Sequence, residues 1–416
     1  MEDSREATAL LARLYYDDPS SKLVLCGVTG TNGKTSTSFL LSSILNESIG
    51  PSGIIGTVGF GFENSLVAGT HTTPASVELF RILSDFIEKG CKSAVMEVSS
   101  HATTQKRIVG LEFDIGIFTN ITRDHLDYHG TMKNYIGAKE MFAKTLLDPS
   151  RSKEPGILIY NMDDENVRGI ADRFDGRKIS FGTSPEADVR AEDIETTLSG
   201  TKFTLIVDGE KVSIHLKLLG SFSVFNSLAA SAGAKALGVE VAEIKRGLER
   251  VIRIPGRFQV VSHGKGPVVI VDYAHTPDAL ERLLDFCREL SPKRIITVFG
   301  CGGDRDRGKR PIMGEIASRL SDLVFVTDDN PRTEDPDRII EEILSGIPSG
   351  KEHVRVERDR REAIFSAVDK ADEGDLVVIA GKGHETEQII GRNRIHFNDS
   401  EVAEEALRVL KGGGED

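Results

Sequence analysis

Short apolar runs alternate with helical periodicity along most of this chain. "KLVLCGV" at 22–28, "KSAVMEV" at 92–98, "FDIGIFTN" at 113–120 and "GILIYN" at 156–161 are apolar stretches of strand length, each followed by a helix-period pattern. Runs of that kind suit parallel strands buried on both faces. "TKFTLIVDGEKVSIHLK" then alternates about Asp208-Gly209, which predicts a β-hairpin. Two helical segments follow, "SVFNSLAASAGAKALG" and "VAEIKRGLERVI". Pro255 and Gly256 in "RIPGRF" break the pattern. Beyond them "PVVIVDY", "RIITVFG", "LVFVTDD" and "DLVVIAG" repeat the strand–helix alternation. The expected fold class is α/β: a central parallel-sheet domain over 23–254, then a Rossmann-like α/β domain over 255–411. The glycine-rich end, 412–416, is expected to be a disordered tail.

Composition narrows the function classes. At 416 residues the chain is too long for one typical core. Its 39% hydrophobic and 28% charged content is ordinary for a globular protein. A net charge of −13 argues against nucleic acid or an anionic membrane as partner. No apolar run approaches the length of a membrane span, and the acidic start is unlike a signal peptide. Cys26, Cys91, Cys287 and Cys301 have no C-x-x-C spacing and read as buried free thiols, which implies the cytoplasm.

The first candidate chemistry lies in "LVLCGVTGTNGKTST", residues 23–37. A strand, a loop of Gly30, Thr31, Asn32 and Gly33, and a helix starting near Lys34 would cluster backbone N–H groups at a helix N-terminus. Such a loop, as in P-loop ATPases, cradles polyphosphate, with Lys34 reaching the β/γ-phosphates and Thr35 placed for Mg²⁺. The usual G-x-x-x-x-G-K-[ST] pattern is incomplete, because Val28 stands where its first glycine belongs.

Other polar groups gather at expected strand ends. "MEVSSHA" offers Glu97, followed by Ser99, Ser100 and His101; the plainer reading of Glu97 is a solvated strand end. "FTNITRDHLDYHG" offers Asn120, Asp124 and His125 on the edge where open parallel sheets bind ligands. In "NYIGAKEMFA", Lys139 beside Glu140 has the plain reading of a surface pair. "GSFSVFNSLAA" offers Asn226, "IPGRFQ" offers Arg257, and "VDYAHTPDAL" offers Asp272 and His275, with a helix amide, a linker charge and a helix cap as the plain readings.

The loop T-G-T-N-G-K-T resembles that of the Mur ligase superfamily, whose members include peptidoglycan ligases and folylpolyglutamate synthases. The resemblance implies an ATP-dependent ligase that forms an acyl phosphate and then an amide. It assigns ATP to Gly30, Thr31, Asn32, Gly33, Lys34, Thr35 and Ser36, with Asn120, Asn226, Arg257, Asp272 and His275. It implies two Mg²⁺ ions, one at Thr35 and Glu97, the other at His125 and Lys139. Lys139 would carry a CO₂-derived carbamate, and Lys34, His125 and Lys139 would be the catalytic groups.

Within the superfamily the chain is most similar, over about residues 5–411, to the branch that extends UDP-N-acetylmuramoyl-L-alanyl-D-glutamate by a third peptide residue. By that resemblance Thr72 and Thr73 of "GTHTTPASVELFRIL", with Ser99, Gln105 and Arg107, bind the UDP-MurNAc-dipeptide acceptor. Arg305, the D-N-P-R run Asp329, Asn330, Pro331 and Arg332, and Gly381 and Glu385 bind meso-diaminopimelate. An amino acid with a second amine and a second carboxylate needs both extra acids and extra donors, and this set has both. Such ligases start with a module that holds the UDP group, of which residues 1–22 resemble only the exit helix and linker, exposing Leu11 and Tyr15. Either the lineage dispenses with that module or the chain starts at an internal methionine. Two rivals stand beside this reading: an ADP-forming ligase with a non-UDP-linked acceptor, and an ATP-binding partner protein that makes no amide. A monomer is expected.

Overall fold

Val24–Thr29 is buried along nearly its whole length, so it belongs in the interior of a sheet. The structure, a computed structural model, describes residues 3–62, 65–69, 71–197, 200–261, 266–348 and 352–412. Two units, Met1–Ile252 and Arg253–Asp416, each have a sheet of their own. In the first, the strands are β1 Val24–Thr29, β2 Ser52–Gly56, β3 Gly59–Phe62, β4 Ser65–Val67, β5 Ser93–Glu97 and β6 Ile115–Phe118. They continue with β7 Ile157–Asn161, β8 Lys178–Gly182, β9 Val189–Thr197, β10 Gly200–Val207 and β11 Glu210–Leu216. Their order in the sheet is β11-β10-β9-β8-β7-β6-β1-β5-β2-β3-β4.

Register is what matters for chemistry. β1 is parallel to both β5 and β6, pairing Val28 with Glu97 and Thr29 with Phe118. The ends of all three strands therefore reach one edge of the sheet, the edge where loops bind ligands. On one face Leu25, Met96 and Phe118 share a core with Leu83 and Phe86 of helix Ser76–Glu88 and Phe142 of helix Met132–Thr145. On the other, Gly233 of helix Ser221–Ala236 lies against Ile115 and Ile117. The close approach of Phe142 depends on Gly27, where an added Cβ would lie 2.4 Å from the ring. The hairpin turns at Asp208 and Gly209, both left-handed, as a two-residue type I′ connection requires. The glycine-rich β2–β4 segment, which has no strand-length apolar run, is the main addition to the expected sheet. Helix Ser4–Tyr15 buries Ala9 and Ala12, packs on helix Ser76–Glu88, and leaves Leu11 62% and Tyr15 81% exposed.

The second unit contains β12 Gln259–Val260, β13 Val268–Asp272, β14 Ile295–Phe299, β15 Leu323–Val326, β16 Val354–Val356 and β17 Leu376–Ala380, in the order β12-β13-β17-β14-β15-β16. β13 through β17 are mutually parallel, so the loops after β14, β15 and β17 leave from one edge. A separate hairpin, β18 Glu387–Ile390 and β19 Asn393–His396, follows. Helices Arg360–Asp369 and Asp399–Gly412 cover one face through Ile364, Ala367 and Ala403. A fully buried pair, Arg360–Asp399 at 2.7 Å, joins those two helices, and Arg360 also donates to the Ala380 carbonyl at 3.0 Å. Removing one partner of such a pair costs about 3–5 kcal/mol. Gly412, the first residue of the expected tail, belongs to the last helix; the rest of that expected tail, 413–416, lies outside the described residues.

Candidate active site

The loop after β1 is held from below by the end of β6. Asn120 accepts from the Asn32 N–H at 2.9 Å and donates back to its carbonyl at 3.1 Å. The Asn120 carbonyl accepts from the Thr31 N–H at 2.8 Å, and the Thr119 hydroxyl donates to Asn32 O at 2.6 Å. Thr31 Oγ1 accepts from the Thr122 N–H and lies 3.0 Å from the Tyr135 hydroxyl. Gly33 sits against Asn226, whose Oδ1 would be 2.4 Å from an added Cβ; the same oxygen faces Thr37 Oγ1 at 3.4 Å. Helix Lys34–Ser48 starts directly after Gly33, with Ser36 half-buried in its first turn. Backbone amides and the helix N-terminus thus meet in the arrangement that receives phosphate. Lys34 folds over this loop, donating to Gly30 O and Thr31 O, each at 2.9 Å.

Glu97 is not a solvated strand end: it is 1% exposed. Its Oε1 accepts from the Thr35 hydroxyl at 2.9 Å and from the Thr57 N–H at 2.8 Å, while Oε2 accepts from the Thr57 hydroxyl at 3.0 Å. Among the described residues no cation pairs with it. A buried carboxylate beside a hydroxyl, both hard oxygen donors, fits Mg²⁺, which usually takes one or two carboxylates and completes its shell with water and substrate phosphate. No three His, Cys, Asp or Glu side chains form a metal cage among the described residues.

Lys139 and Glu140 part company. Glu140 pairs with Arg173, whereas Lys139 is 1% exposed and points at the phosphate loop. Its Nζ donates to Gly30 O at 2.9 Å and Thr29 Oγ1 at 3.3 Å, and lies 4.9 Å from the Tyr135 ring centre. Burial, reinforced by the nearby charge of Lys34, holds this amine well below the usual lysine range, with Asp124 opposing. A neutral amine is nucleophilic, unlike an ammonium. His125 also lies against this tyrosine, ring to ring at 6.2 Å, and stacks edge-on to His101 at 4.9 Å.

Thr72, Thr73, Ser99, Gln105 and Arg107 also come together. Thr73 Oγ1 donates to Glu97 O at 2.8 Å and accepts from the Ser99 N–H at 3.1 Å. Thr72 Oγ1 lies 3.1 Å from the Thr57 hydroxyl. Arg107 donates to Thr73 O at 2.6 Å and to Gln105 Oε1 at 2.6 Å. Burial, aided by Arg5 and opposed by Tyr128, lowers its pKa. Arg107, Gln105, His71 and Arg5 line a cavity of about 300 Å³.

In the second unit, Asp272 accepts from the Phe258 N–H at 2.7 Å and the Ala274 N–H at 2.8 Å. Burial raises its pKa, and Arg257 opposes the rise. Thr276, not Asp272, caps helix Pro277–Glu289. Arg257 lies 5.2 Å from the Tyr273 ring centre, and His275 Nδ1 is 2.8 Å from Tyr273 O. Three loops meet beyond β14, β15 and β17. Asn330 Nδ2 donates to Glu385 Oε2 at 2.8 Å, Arg332 Nη1 donates to Gly303 O at 2.7 Å, and the Gly303 N–H donates to Asn330 O at 2.9 Å. Arg332 is therefore docked against the loop after β14 and half-buried. The Gly381 N–H donates to Asp272 O at 3.1 Å. Asp329 and Pro331 are buried; Arg305 stands exposed at the rim. Sequence reasoning passed over Thr57, Thr119, Tyr135 and Lys382, although the last lies between two glycines directly after a buried strand.

A phosphate-binding loop on a parallel sheet, with a buried carboxylate and lysine beside it, defines a nucleotide-dependent α/β enzyme of the P-loop type. The chain belongs to the Mur ligase family: residues 28–234 match the Mur ligase middle domain and residues 256–383 the Mur ligase glutamate ligase domain. It is 43% identical over its full length to the UDP-N-acetylmuramoyl-L-alanyl-D-glutamate–2,6-diaminopimelate ligase of Geobacter metallireducens, covering 84% of that protein. It is 45% identical over 98% of its length to the ligase of the same name from Gloeobacter violaceus, covering 81% of it. A solved structure of a ligase of that name superposes with a TM-score of 0.70 at 33% identity, covering 98% of this chain and 83% of that one. The ADP complex of Mycobacterium tuberculosis folylpolyglutamate synthase shares the fold, with a TM-score of 0.73 at 16% identity over 100% of this chain and 96% of its own.

Proposed function

We propose that this chain joins meso-diaminopimelate to the γ-carboxylate of UDP-N-acetylmuramoyl-L-alanyl-D-glutamate, with ATP converted to ADP and phosphate. The observation that carries the reading is the meeting of Asn330, Arg332 and Glu385 at one strand edge of a Mur ligase. That edge offers a cation and an anion to an amino acid that itself carries both charges at its distal end. The acceptor's γ-carboxylate oxygen attacks the terminal phosphorus of ATP, and ADP leaves. The amine then attacks the acyl carbon, loses a proton, and phosphate departs as the amide forms.

This chain's own residues act mainly by placement and charge. The loop Gly30, Thr31, Asn32 and Gly33, with the first-turn amides of helix Lys34–Ser48 and the Lys34 ammonium, receives the phosphates, while Asn120 ties down the Thr31 and Asn32 amides and Asn226 backs Gly33. Arg257 contacts phosphate, and Asp272, with His275 beside it, takes the ribose. Thr72, Thr73, Ser99, Gln105 and Arg107 orient the acceptor. Magnesium held by Thr35 and Glu97, and by His125 with a carbamate on Lys139, would supply neutralisation of phosphate charge. The depressed basicity of Lys139 supports the carbamate, since only the neutral amine adds CO₂. The enzyme is taken to act as a monomer, and its four buried cysteines, none of them in a disulfide, suit a reducing compartment.

A coupled assay of ADP release tests the proposal. Turnover should require both acceptor and meso-diaminopimelate, with L-lysine a poor substitute. ADP release without either substrate, or equal use of lysine, would overturn it. A parallel arm with the muramoyl-dipeptide lacking UDP identifies the acceptor: equal use of the two would favour the non-UDP-linked alternative.

A further inference from the structure

Lys382 is 0% exposed, whereas Lys293, Lys309 and Lys370 of the same unit all reach water. It follows Gly381 at the end of β17, and its ammonium has three acceptors: Asn330 Oδ1 at 3.1 Å, Glu385 Oε2 at 2.9 Å and Glu387 O at 2.7 Å. Glu385 is the only carboxylate that pairs with it among the described residues. Asn330 is thereby fixed in one amide orientation. Its Oδ1 accepts from Lys382 and from the Ile389 N–H at 2.9 Å, so its Nδ2 must face Glu385 Oε2. Glu385 Oε2 is thus saturated by two donors, while Oε1 has no partner among the described residues.

We propose that Lys382 is a positioning residue that sets amino-acid specificity: by clamping Glu385 Oε2 and Asn330 Oδ1, it leaves Glu385 Oε1 turned outward to accept an ammonium of the incoming amino acid. The clamp rests on the reading of this edge as the diaminopimelate site. A carboxylate free to rotate would meet a ligand ammonium only part of the time; one held at one oxygen presents the other at no further ordering cost. Lys382 touches no substrate, because its three donors are all spent within the protein.

The experiment is a double-mutant cycle on Lys382→Met and Glu385→Gln, with KM for diaminopimelate, KM for ATP and melting temperature measured on each purified protein. Lys382→Met should raise the diaminopimelate KM at least tenfold with KM for ATP within about twofold, and should add less than threefold once Glu385→Gln is present. If the single Lys382→Met protein does not fold, the double variant removes both charges of the buried pair together, and Lys382→Arg, which keeps the charge, should recover part of the loss. Additive effects in the cycle, or equal rises in both KM values, would make Lys382 merely structural and overturn the proposal. Failure of the diaminopimelate reading itself looks different: the unmodified protein would then form no amide with that amino acid.

Discussion

Lys139 Nζ lies 2.9 Å from the carbonyl oxygen of Gly30, 109 residues earlier in the chain. The contact brings a buried amine to the wall of the phosphate loop, and it exists because helix Met132–Thr145 lies close enough on β1 for a lysine to span the gap. That closeness comes from the glycine beneath Phe142. The two residues that build the contact, Gly27 and Phe142, carry no chemistry themselves.

Lys139→Ala should therefore abolish most ligase activity without unfolding the first unit, because among the described residues no carboxylate pairs with Lys139 and would be stranded by its loss. High concentrations of acetate should restore part of the activity by replacing the missing carboxylate oxygens. Initial rates with and without acetate decide the matter; full activity of the alanine variant in bicarbonate-free buffer would exclude a carbamate.

Gly27→Ala tests the packing that aims the lysine. The added Cβ meets the Phe142 ring at 2.4 Å and Phe113 at 2.9 Å, so the helix or the rings must shift. Overpacking of this kind costs about 1–3 kcal/mol. Denaturant titration should show a loss of that size. Turnover should fall more than stability explains, since a displacement of about 1 Å near the chemistry can cost about a hundredfold.

Arg332→Ala should weaken diaminopimelate use by about 30-fold or more, taking roughly 2–5 kcal/mol for truncating one partner of a desolvated charge pair. KM for ATP should change little. Steady-state kinetics in each substrate would reveal an Arg332 that is structural through Gly303 alone, because both constants would then move together.

Asp328 makes the second unit sensitive to pH. Burial pushes its carboxyl up to about 6 against Arg358, and Asp337, Asp359 and Asp329 push the same way. A folded-state pKa above the unfolded value means that folding favours the protonated form. Stability contributed by this group is full below about pH 4 and is lost as pH rises through 6. Asp328→Asn should flatten that slope and stabilise the protein near pH 7.5 by an amount on the order of 2 kcal/mol, with little effect at pH 4. Melting curves across that range provide the check.

The largely apolar runs at 22–28, 92–98, 113–120 and 156–161 determined β1, β5, β6 and β7, because a strand buried on both faces needs apolar side chains along its middle, with polar residues such as Glu97 confined to its ends. The phosphate loop was equally legible, since strand, glycines and helix start are all local signals. The β2–β4 segment was not: "SGIIGTVGFGF" mixes glycine with apolar residues and pairs only because β5 offers an edge. The fate of Lys139 was decided only by tertiary structure. In "GAKEMFA" it and Glu140 read as equivalent surface charges, and no local pattern separates them. What separates them is the packing of Phe142 onto Gly27, which buries one face of the helix against a strand more than a hundred residues away. Lys382 follows the same logic, for its partners Asn330 and Glu385 come from two different loops. Periodicity reports which side of an element is apolar; whether a charged side chain is buried depends on what the rest of the chain places opposite it.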